Sequence, residues 1–165
     1  MNKLLILGAG QYGMVTKEIA ESIDCFSDIA FLDDNHPMAI GKLDEYEKFR
    51  SEFDSAIVAI GCTELRLELI RKLEQCGYAV PALIHSNAYV SPSAKIGKGF
   101  CIEPLVVIHT ETVIGVGCLI SAGTIVNHNC IIGDGCHLNC GTIVAARMLL
   151  HNQTKTDYGA IINKE

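Results

Sequence analysis

A six-residue period of aliphatic side chains runs through the second half of the chain and constrains its fold more than any other feature. Of the fourteen positions taken at six-residue intervals from Ile84 to Ile162, thirteen are Ile, Leu or Val, and Thr156 is the exception. This period matches neither the 3.6-residue turn of an α-helix nor the two-residue alternation of a strand. It predicts a chain that turns a corner every six residues, so that three sides complete one coil.

Small residues at a fixed offset support this coil. Four residues after most aliphatic positions stands Ala, Thr or Cys, and larger residues occur there only at Phe100, Val106 and Met148. We expect the aliphatic residues to fill the interior, the small residues to fit where the walls converge, and successive coils to stack at about 4.8 Å. This pattern is typical of a left-handed parallel β-helix, which we predict for residues 84–165. In that register Cys118, Cys130 and Cys136 are small interior fillers rather than redox or metal groups.

Residues 1–83 instead alternate short apolar runs with helical patterns. The most regular helix covers Glu64–Cys76, whose apolar residues share one face and which Gly77 ends. A shorter helix is predicted at Leu43–Phe49. We predict four strands, at Lys3–Leu7, Ile29–Leu32, Ala56–Ile60 and Ala79–Ile84. This alternation indicates an α/β, Rossmann-like subdomain with helices packed on a small parallel sheet.

A glycine-rich turn follows the first predicted strand and opens a helix. Gly8, Gly10 and Gly13 have the spacing of a phosphate-binding turn, in which backbone N–H groups and the helix N-terminus approach an anion. Asp33, twenty residues beyond Gly13, ends the next strand, where a carboxylate can contact a ribose or a base. About 80 residues make one mononucleotide-binding half, which disfavours a dinucleotide ligand. A tight turn without any ligand is the alternative.

Composition excludes several partners. The 165-residue chain has a net charge of −6 and a pI near 5.5, so it lacks the basic face that sequence-independent binding to nucleic acid needs. No apolar run approaches the roughly 18 residues of a membrane span, and the apolar stretch at Leu4–Leu7 is too short for a signal peptide. We therefore expect a cytoplasmic protein with no membrane partner, whose eight cysteines are reduced.

Two histidines of the predicted β-helix are candidates for chemistry. His128 and His137 lie off the interior register, and an outward-facing imidazole can act as a general base at neutral pH. Nine residues, half a coil, separate them, so they should lie on different walls and meet only if copies associate as a trimer. Ordinary surface histidines are the alternative. No histidine pair has the five-residue spacing of the metal site in β-helical carbonic anhydrases, so we expect no metal.

The order of these motifs resembles a known family. The segments GAGQYG, FLDD, AIGCTELR, LIHSNAYVSPSAKIG and VNHNCIIGDGCH follow one another as in bacterial hexapeptide-repeat sugar acyltransferases. That family includes UDP-4-amino-sugar N-acetyltransferases and sialic acid O-acetyltransferases, and the resemblance covers residues 3 to about 146. It implies a nucleotide-sugar-binding domain at 1–83, an acetyl-CoA-binding acyltransferase domain at 84–165, and a homotrimer.

The resemblance also implies roles for individual residues. Gly8, Gly10 and Tyr12 would lie near the diphosphate of the nucleotide sugar. Asp33 and Asp34 would contact the base or ribose, and Gly61 would line the same cleft. His128 would be the general base, with Asn129 holding its ring, as the acceptor attacks the thioester directly. His137 of a neighbouring subunit would contact the acetyl end of acetyl-CoA, and a backbone N–H near Ala146 would stabilise the oxyanion.

The chain departs from the family in three places. Asn129 stands where an acid commonly orients the basic histidine, and Cys62 and Thr63 stand where asparagines often line the sugar-nucleotide site. About one coil after Val144 and the terminal GxPAK segment are missing. We predict an acetyl-CoA-dependent N-acetyltransferase of a nucleotide-linked amino sugar. The alternatives are a sugar O-acetyltransferase and a C-terminally shortened, non-catalytic trimer that only binds a nucleotide sugar.

Overall fold

Four parallel strands and two α-helices build the first half of the chain in the computed structural model, which describes residues 2–163. In chain order the elements are β1 (Asn2–Leu7), α1 (Gln11–Ile23), β2 (Phe26–Leu32), β3 (Ala39–Gly41), a 3₁₀ helix (Leu43–Phe49), β4 (Ser55–Val58) and α2 (Thr63–Gln75). The strand order is β3-β2-β1-β4. Leu4, Leu5, Ile6 and Leu7 are fully buried, so β1 is the centre of this core.

One predicted strand of this sheet was wrong and one real strand was missed. The predicted strand Ala79–Ile84 is absent from this sheet: Ala79 only forms a bridge to Ser55, and Leu83–Ile84 form a strand of the β-helix instead. Pro81, which has no N–H to donate, interrupts the segment. The fourth strand is β3, whose three residues Ala-Ile-Gly carry no recognisable strand pattern.

The second half consists of two-residue strands on three walls. The first wall contains β5 (Leu83–Ile84), β8 (Cys101–Ile102), β11 (Leu119–Ile120) and β14 (His137–Leu138). The second contains β6 (Tyr89–Val90), β9 (Val107–Ile108), β12 (Ile125–Val126), β15 (Ile143–Val144) and β17 (Ile161–Ile162). The third contains β7 (Lys95–Ile96), β10 (Val113–Ile114), β13 (Ile131–Ile132) and β16 (Leu149–Leu150).

Every paired strand of this β-helix aligns with the strand one full coil later. Val113 pairs with Ile131, Leu119 with His137, and Ile125 with Ile143, all in parallel register. Each of these strands has two residues, and the second of them points inward, as the six-residue period predicted. Cys118, Cys130 and Cys136 are completely buried, which confirms their interior placement, and Cys140 is exposed.

The chain forms two compact units, with the boundary between Leu83 and Ile84. The first unit is the α/β sheet with its helices. The second is the three-walled β-helix. Each unit therefore has a core of its own. The ligands predicted for the two units, a nucleotide sugar and acetyl-CoA, stay predictions at this point.

Candidate functional site

The first group of predicted residues gathers at one edge of the α/β sheet. Because parallel strands have their carboxyl ends at the same edge, the loops after β1, β2 and β4 meet there. Gly8, which has a φ of 104°, donates its N–H to the carbonyl oxygen of Leu32 over 2.8 Å. A Cβ on Gly8 would lie 2.7 Å from the carbonyl oxygen of Ala59. The structure thus brings together Gly8, Gly10, Asp33 and Gly61.

Some glycines of this loop cluster are tightly packed, and others face open space. A Cβ on Gly13 would lie 2.2 Å from the carbonyl oxygen of Gly8, so the glycine lets α1 pack directly on the turn. At Gly10 and Gly61 no heavy atom lies within 4 Å of such a Cβ. These two positions therefore leave room beside the turns for a ligand. Tyr12, in the first turn of α1, has a half-buried ring.

Both carboxylate oxygens of Asp33 accept hydrogen bonds from backbone N–H groups around it. One carboxylate oxygen accepts from the N–H of Ala9 at 2.8 Å, and the other accepts from Asn35 and His36, each at 3.0 Å. The hydrogen bond from Ala9, more than any other contact, lowers the pKa of Asp33 below its ordinary value. Asp33 thus ties the end of β2 to the glycine turn. Exposed Asp34 accepts from the N–H of Leu43 at 3.1 Å.

The sequence reasoning missed a residue that fixes the loop after β4. Arg66 is completely buried, and its guanidinium donates to the carbonyl oxygens of Ile60 and Gly61 at 2.7 and 3.2 Å. It also donates to Thr63 Oγ1 at 3.2 Å. The signal was present in the sequence, since Arg66 lies four residues before Ile70 on the apolar face of α2.

The second group of predicted residues lies at the corner between the second and third walls of the β-helix. We call residues 109–111, 127–129 and 145–147, on three successive coils, the His128 corner. His128 Nδ1 lies 2.8 Å from Asn129 Oδ1. Because an amide oxygen only accepts, this contact assigns the proton to Nδ1 and leaves the lone pair on Nε2. In this tautomer the half-buried ring can accept a proton at Nε2.

Two backbone features complete this arrangement. Asn129 has a φ of 58°, in the left-handed region that Asn adopts more readily than most residues. Its conformation presents the amide to the preceding imidazole. The N–H of His128 itself donates to Asn127 Oδ1 at 2.8 Å. His128 is thus held by hydrogen bonds at both its backbone and its ring.

Ala146 lies on the coil that follows His128, at the same corner. Val126 pairs with Val144, and the N–H of Arg147 donates to the carbonyl oxygen of His128 at 3.0 Å. The structure therefore brings His128, Asn129 and Ala146 together although 18 residues separate the first from the last. His137 lies in β14 on the first wall, half-buried, so one chain does not bring the two histidines together.

Other features of the described residues lie apart from these groups. Between residues 2 and 163, no three His, Cys, Asp or Glu side chains could hold a metal ion together. Within the same range, no helix has the length and apolar character to cross a membrane. An open cavity of about 430 Å³ beside the 3₁₀ helix is lined by charged residues, Lys42, Asp44, Glu45, Glu47 and Lys48. None of the predicted site residues lines it.

A Rossmann-like unit with open space at its glycine turns precedes a β-helix with a hydrogen-bonded histidine at a corner, and this arrangement indicates an acyltransferase. Residues 3–73 match the family of the PglD N-terminal domain. By its fold and by this match the chain is similar to the bacterial sugar acyltransferases.

Solved structures agree with this assignment. The acetyltransferase domain of PglB from Neisseria gonorrhoeae, in complex with acetyl coenzyme A, is 27% identical with a TM-score of 0.93. The match covers 98% of this chain and 82% of that one. A histidine-to-asparagine variant of perosamine N-acetyltransferase from Caulobacter crescentus, in complex with CoA and GDP-perosamine, is 25% identical with a TM-score of 0.82 and the same coverage. PerB from Caulobacter crescentus, also with CoA and GDP-perosamine, is 26% identical with a TM-score of 0.80. The match covers 98% of this chain and 83% of that one.

These structures confirm the predicted fold class, a Rossmann-like subdomain followed by a left-handed β-helix.

Proposed function

We propose that the protein transfers an acetyl group from acetyl-CoA to the amino group of a nucleotide-linked amino sugar. The observation that carries this proposal is the His128 corner, where an oriented imidazole lies one coil before the Ala146 backbone. The similar structures, which hold acetyl-CoA, or CoA with GDP-perosamine, support the same pair of substrates. Acetyl-CoA is a co-substrate in this reaction.

The proposed chemistry is a direct attack without a covalent enzyme intermediate. The sugar amine nitrogen bonds to the thioester carbonyl carbon, and His128 Nε2 takes the proton that the nitrogen loses. The carbonyl electron pair moves to oxygen, where the N–H of Ala146 would stabilise it. Collapse of the intermediate breaks the C–S bond, and the departing thiolate takes the proton from His128. A general base contributes typically 10²–10⁴-fold and one oxyanion donor about 10²–10³-fold.

The α/β unit would hold the acceptor. Gly8, Gly10 and Tyr12 would face the diphosphate, since turn N–H groups and a helix N-terminus favour negative charge. The open positions at Gly10 and Gly61 support this placement. Asp33 already accepts three backbone hydrogen bonds, so we propose that it holds the loop while exposed Asp34 contacts the base or ribose.

Apolar side chains on two walls support the homotrimer. Outward-facing Ile125 and Ile143 on the second wall are 38% and 42% exposed, and Ile131 and Leu149 on the third are 52% and 57% exposed. Leu119, at the equivalent place on the first wall, is buried. Two different exposed walls suit a contact that closes into a ring. The His128 corner lies between them, so we propose that His137 of a neighbouring subunit reaches the acetyl end of acetyl-CoA there.

The trimer can be tested by sedimentation velocity. Ile131→Asp should convert trimer to monomer, because it buries a charge in the contact. Leu105→Asp, an exposed apolar residue at another corner, should remain trimeric. A wild-type monomer would contradict the proposed assembly.

The base can be tested by measuring CoA release with a UDP- or GDP-linked 4-amino sugar. His128→Ala should lower kcat by about 10²–10⁴-fold and leave the assembly unchanged. His151→Ala, which removes an exposed imidazole elsewhere, is the matched control. If His128→Ala turns over like the wild type, the assigned base is wrong.

Two alternatives give different results in the same assay. Turnover with the hydroxyl analogue of the sugar but not with the amine would indicate an O-acetyltransferase. Asn129 favours the amine as acceptor. A hydroxyl is a poorer nucleophile and depends more on a strong base, and the neutral Asn129 brings no negative charge to stabilise the imidazolium. No turnover, with no acetyl-CoA binding heat at millimolar concentration, would indicate a nucleotide-sugar-binding protein.

A cytoplasmic location, with no nucleic-acid or membrane partner, stays a prediction.

A further inference from the structure

Arg147 carries a positive charge on the coil next to the proposed base. Its N–H donates to the carbonyl oxygen of His128 at 3.0 Å, and it directly follows Ala146. Its side chain is exposed, and no ion pair or hydrogen bond is found for that side chain among residues 2–163. The guanidinium is thus free to act at the His128 corner, and nothing in the fold requires it there.

The backbone of Arg147 is in a conformation that does not favour arginine. Glu111, Asn129 and Arg147 occupy the same place on three successive coils, with φ values of 57°, 58° and 62°. At the corner between the first and second walls, the equivalent column is Leu105, with a φ of 62°, followed by Gly123, Gly141 and Gly159. The Cβ atom of a side chain is strained in this left-handed region, which Gly adopts freely and Asn tolerates better than most residues. Because Leu105 and Gln153 also adopt this conformation at other corners, what distinguishes Arg147 is a positive charge on the residue that follows Ala146.

The positive charge of Arg147 is on the coil where the proposed reaction creates negative charge. Transfer creates an imidazolium at His128 and an oxyanion near the Ala146 N–H. Coils stack at about 4.8 Å, so Glu111 lies one coil before Asn129 and Arg147 one coil after, next to Ala146. Among residues 109–111 of this corner, His109 is the other titratable residue. A cation beside the developing oxyanion lowers the transition state selectively, since the ground-state thioester is neutral.

We propose that Arg147 is a further catalytic residue, whose guanidinium donates to the thioester carbonyl oxygen as it becomes negative. This inference rests on the proposed acetyl transfer. As the amine nitrogen bonds to the carbonyl carbon, the π electron pair moves to oxygen, and Arg147 and the Ala146 N–H share that charge. The pair returns when the C–S bond breaks. Arg147 exchanges no proton.

The test compares three variants in kinetics and thermal unfolding. Arg147→Gln and Arg147→Gly should lower kcat about 10- to 100-fold while the KM for acetyl-CoA changes less than about threefold, as expected for an interaction made only in the transition state. Arg147→Lys should recover part of the rate. Arg147→Gly should unfold at the wild-type temperature or up to roughly 4 °C above it, because the strain is relieved. Arg71→Gln on α2 is the control for net charge.

The outcomes separate this inference from the proposed function. If the wild type turns over and His128→Ala does not, but Arg147→Gln keeps the full rate, the role of Arg147 is refuted and the acetyl transfer stands. A rise in the KM for acetyl-CoA with unchanged kcat would also refute it, since the residue would then serve binding alone. A lower unfolding temperature for Arg147→Gly would show a structural role instead. An inactive wild type would refute the proposed function itself.

Discussion

The two units position their site residues by different means. In the β-helix, repeated backbone hydrogen bonds join each coil to the next, as from Arg147 to His128 and from Asn129 to Thr110. In the α/β unit, particular side chains tie one turn to another, as Asp33 does for Ala9 and Arg66 for Ile60. A residue of the β-helix is therefore placed by its number along the coil. A residue of the α/β unit is placed by contacts that differ from loop to loop.

The largest effect is expected in the interior of the β-helix. Ile132→Ala should lower the free energy of unfolding by about 2–5 kcal/mol, because the side chain is buried and its loss leaves a cavity between stacked coils. Leu105→Ala, at a side chain 69% exposed, should change it by less than about 0.5 kcal/mol. Urea unfolding followed by circular dichroism measures both. Equal costs would mean that the six-residue period does not define the core.

The glycine turn provides the corresponding test in the α/β unit. Gly13→Ala should cost about 2–4 kcal/mol, since its Cβ would overlap the carbonyl oxygen of Gly8 and force the helix from the turn. Gly10→Ala, where the space is open, should stay within about 1 kcal/mol of wild type. Isothermal titration with a nucleoside diphosphate should nevertheless show weaker binding to Gly10→Ala. Unchanged binding would remove Gly10 from the proposed site.

The link between Asn129 and His128 should have a smaller effect, confined to the rate. Asn129→Gly keeps the left-handed backbone but removes the hydrogen bond to Nδ1, so kcat should fall about tenfold with little change in stability. Asn129→Asp should retain the orientation and add a charge that favours the imidazolium, so its kcat should equal or exceed the wild-type value. A Gly variant as fast as wild type would show that the ring needs no such partner.

Asp33 should give the smallest effect, one that depends on pH. Asp33→Asn should destabilise the protein by about 1 kcal/mol at pH 7, since charge-assisted bonds to Ala9, Asn35 and His36 are weakened. The pKa of Asp33 is lowered in the folded state, so its contribution is complete above the unfolded value near 4 and is lost as pH falls below it. Urea unfolding at pH 7 and pH 3 should show the difference shrinking. A constant difference would assign the loss to packing.

The sequence was informative to different degrees in the two units. The period of six predicted the three walls, the buried cysteines and the separation of His128 from His137 within one chain. The position of Ala146 followed from the family resemblance, and the 18-residue coil explains it physically. In the first unit the glycine turn and both helices were predictable. The strand β3 and the contacts of Asp33 and Arg66 were not, because no local pattern encodes which backbone group a side chain will meet across a fold.

The closure of each coil after 18 residues limits how this protein can change in length. Removing six residues between Asn129 and Ala146 would leave every remaining hexad intact and the interior well filled. Ala146 and Arg147 would nevertheless move to a different side of the prism, away from His128. An added whole coil would return Ala146 to the same corner but would place it two coils from His128, so the 18-residue spacing has to stay fixed here and changes in length should fall outside this segment.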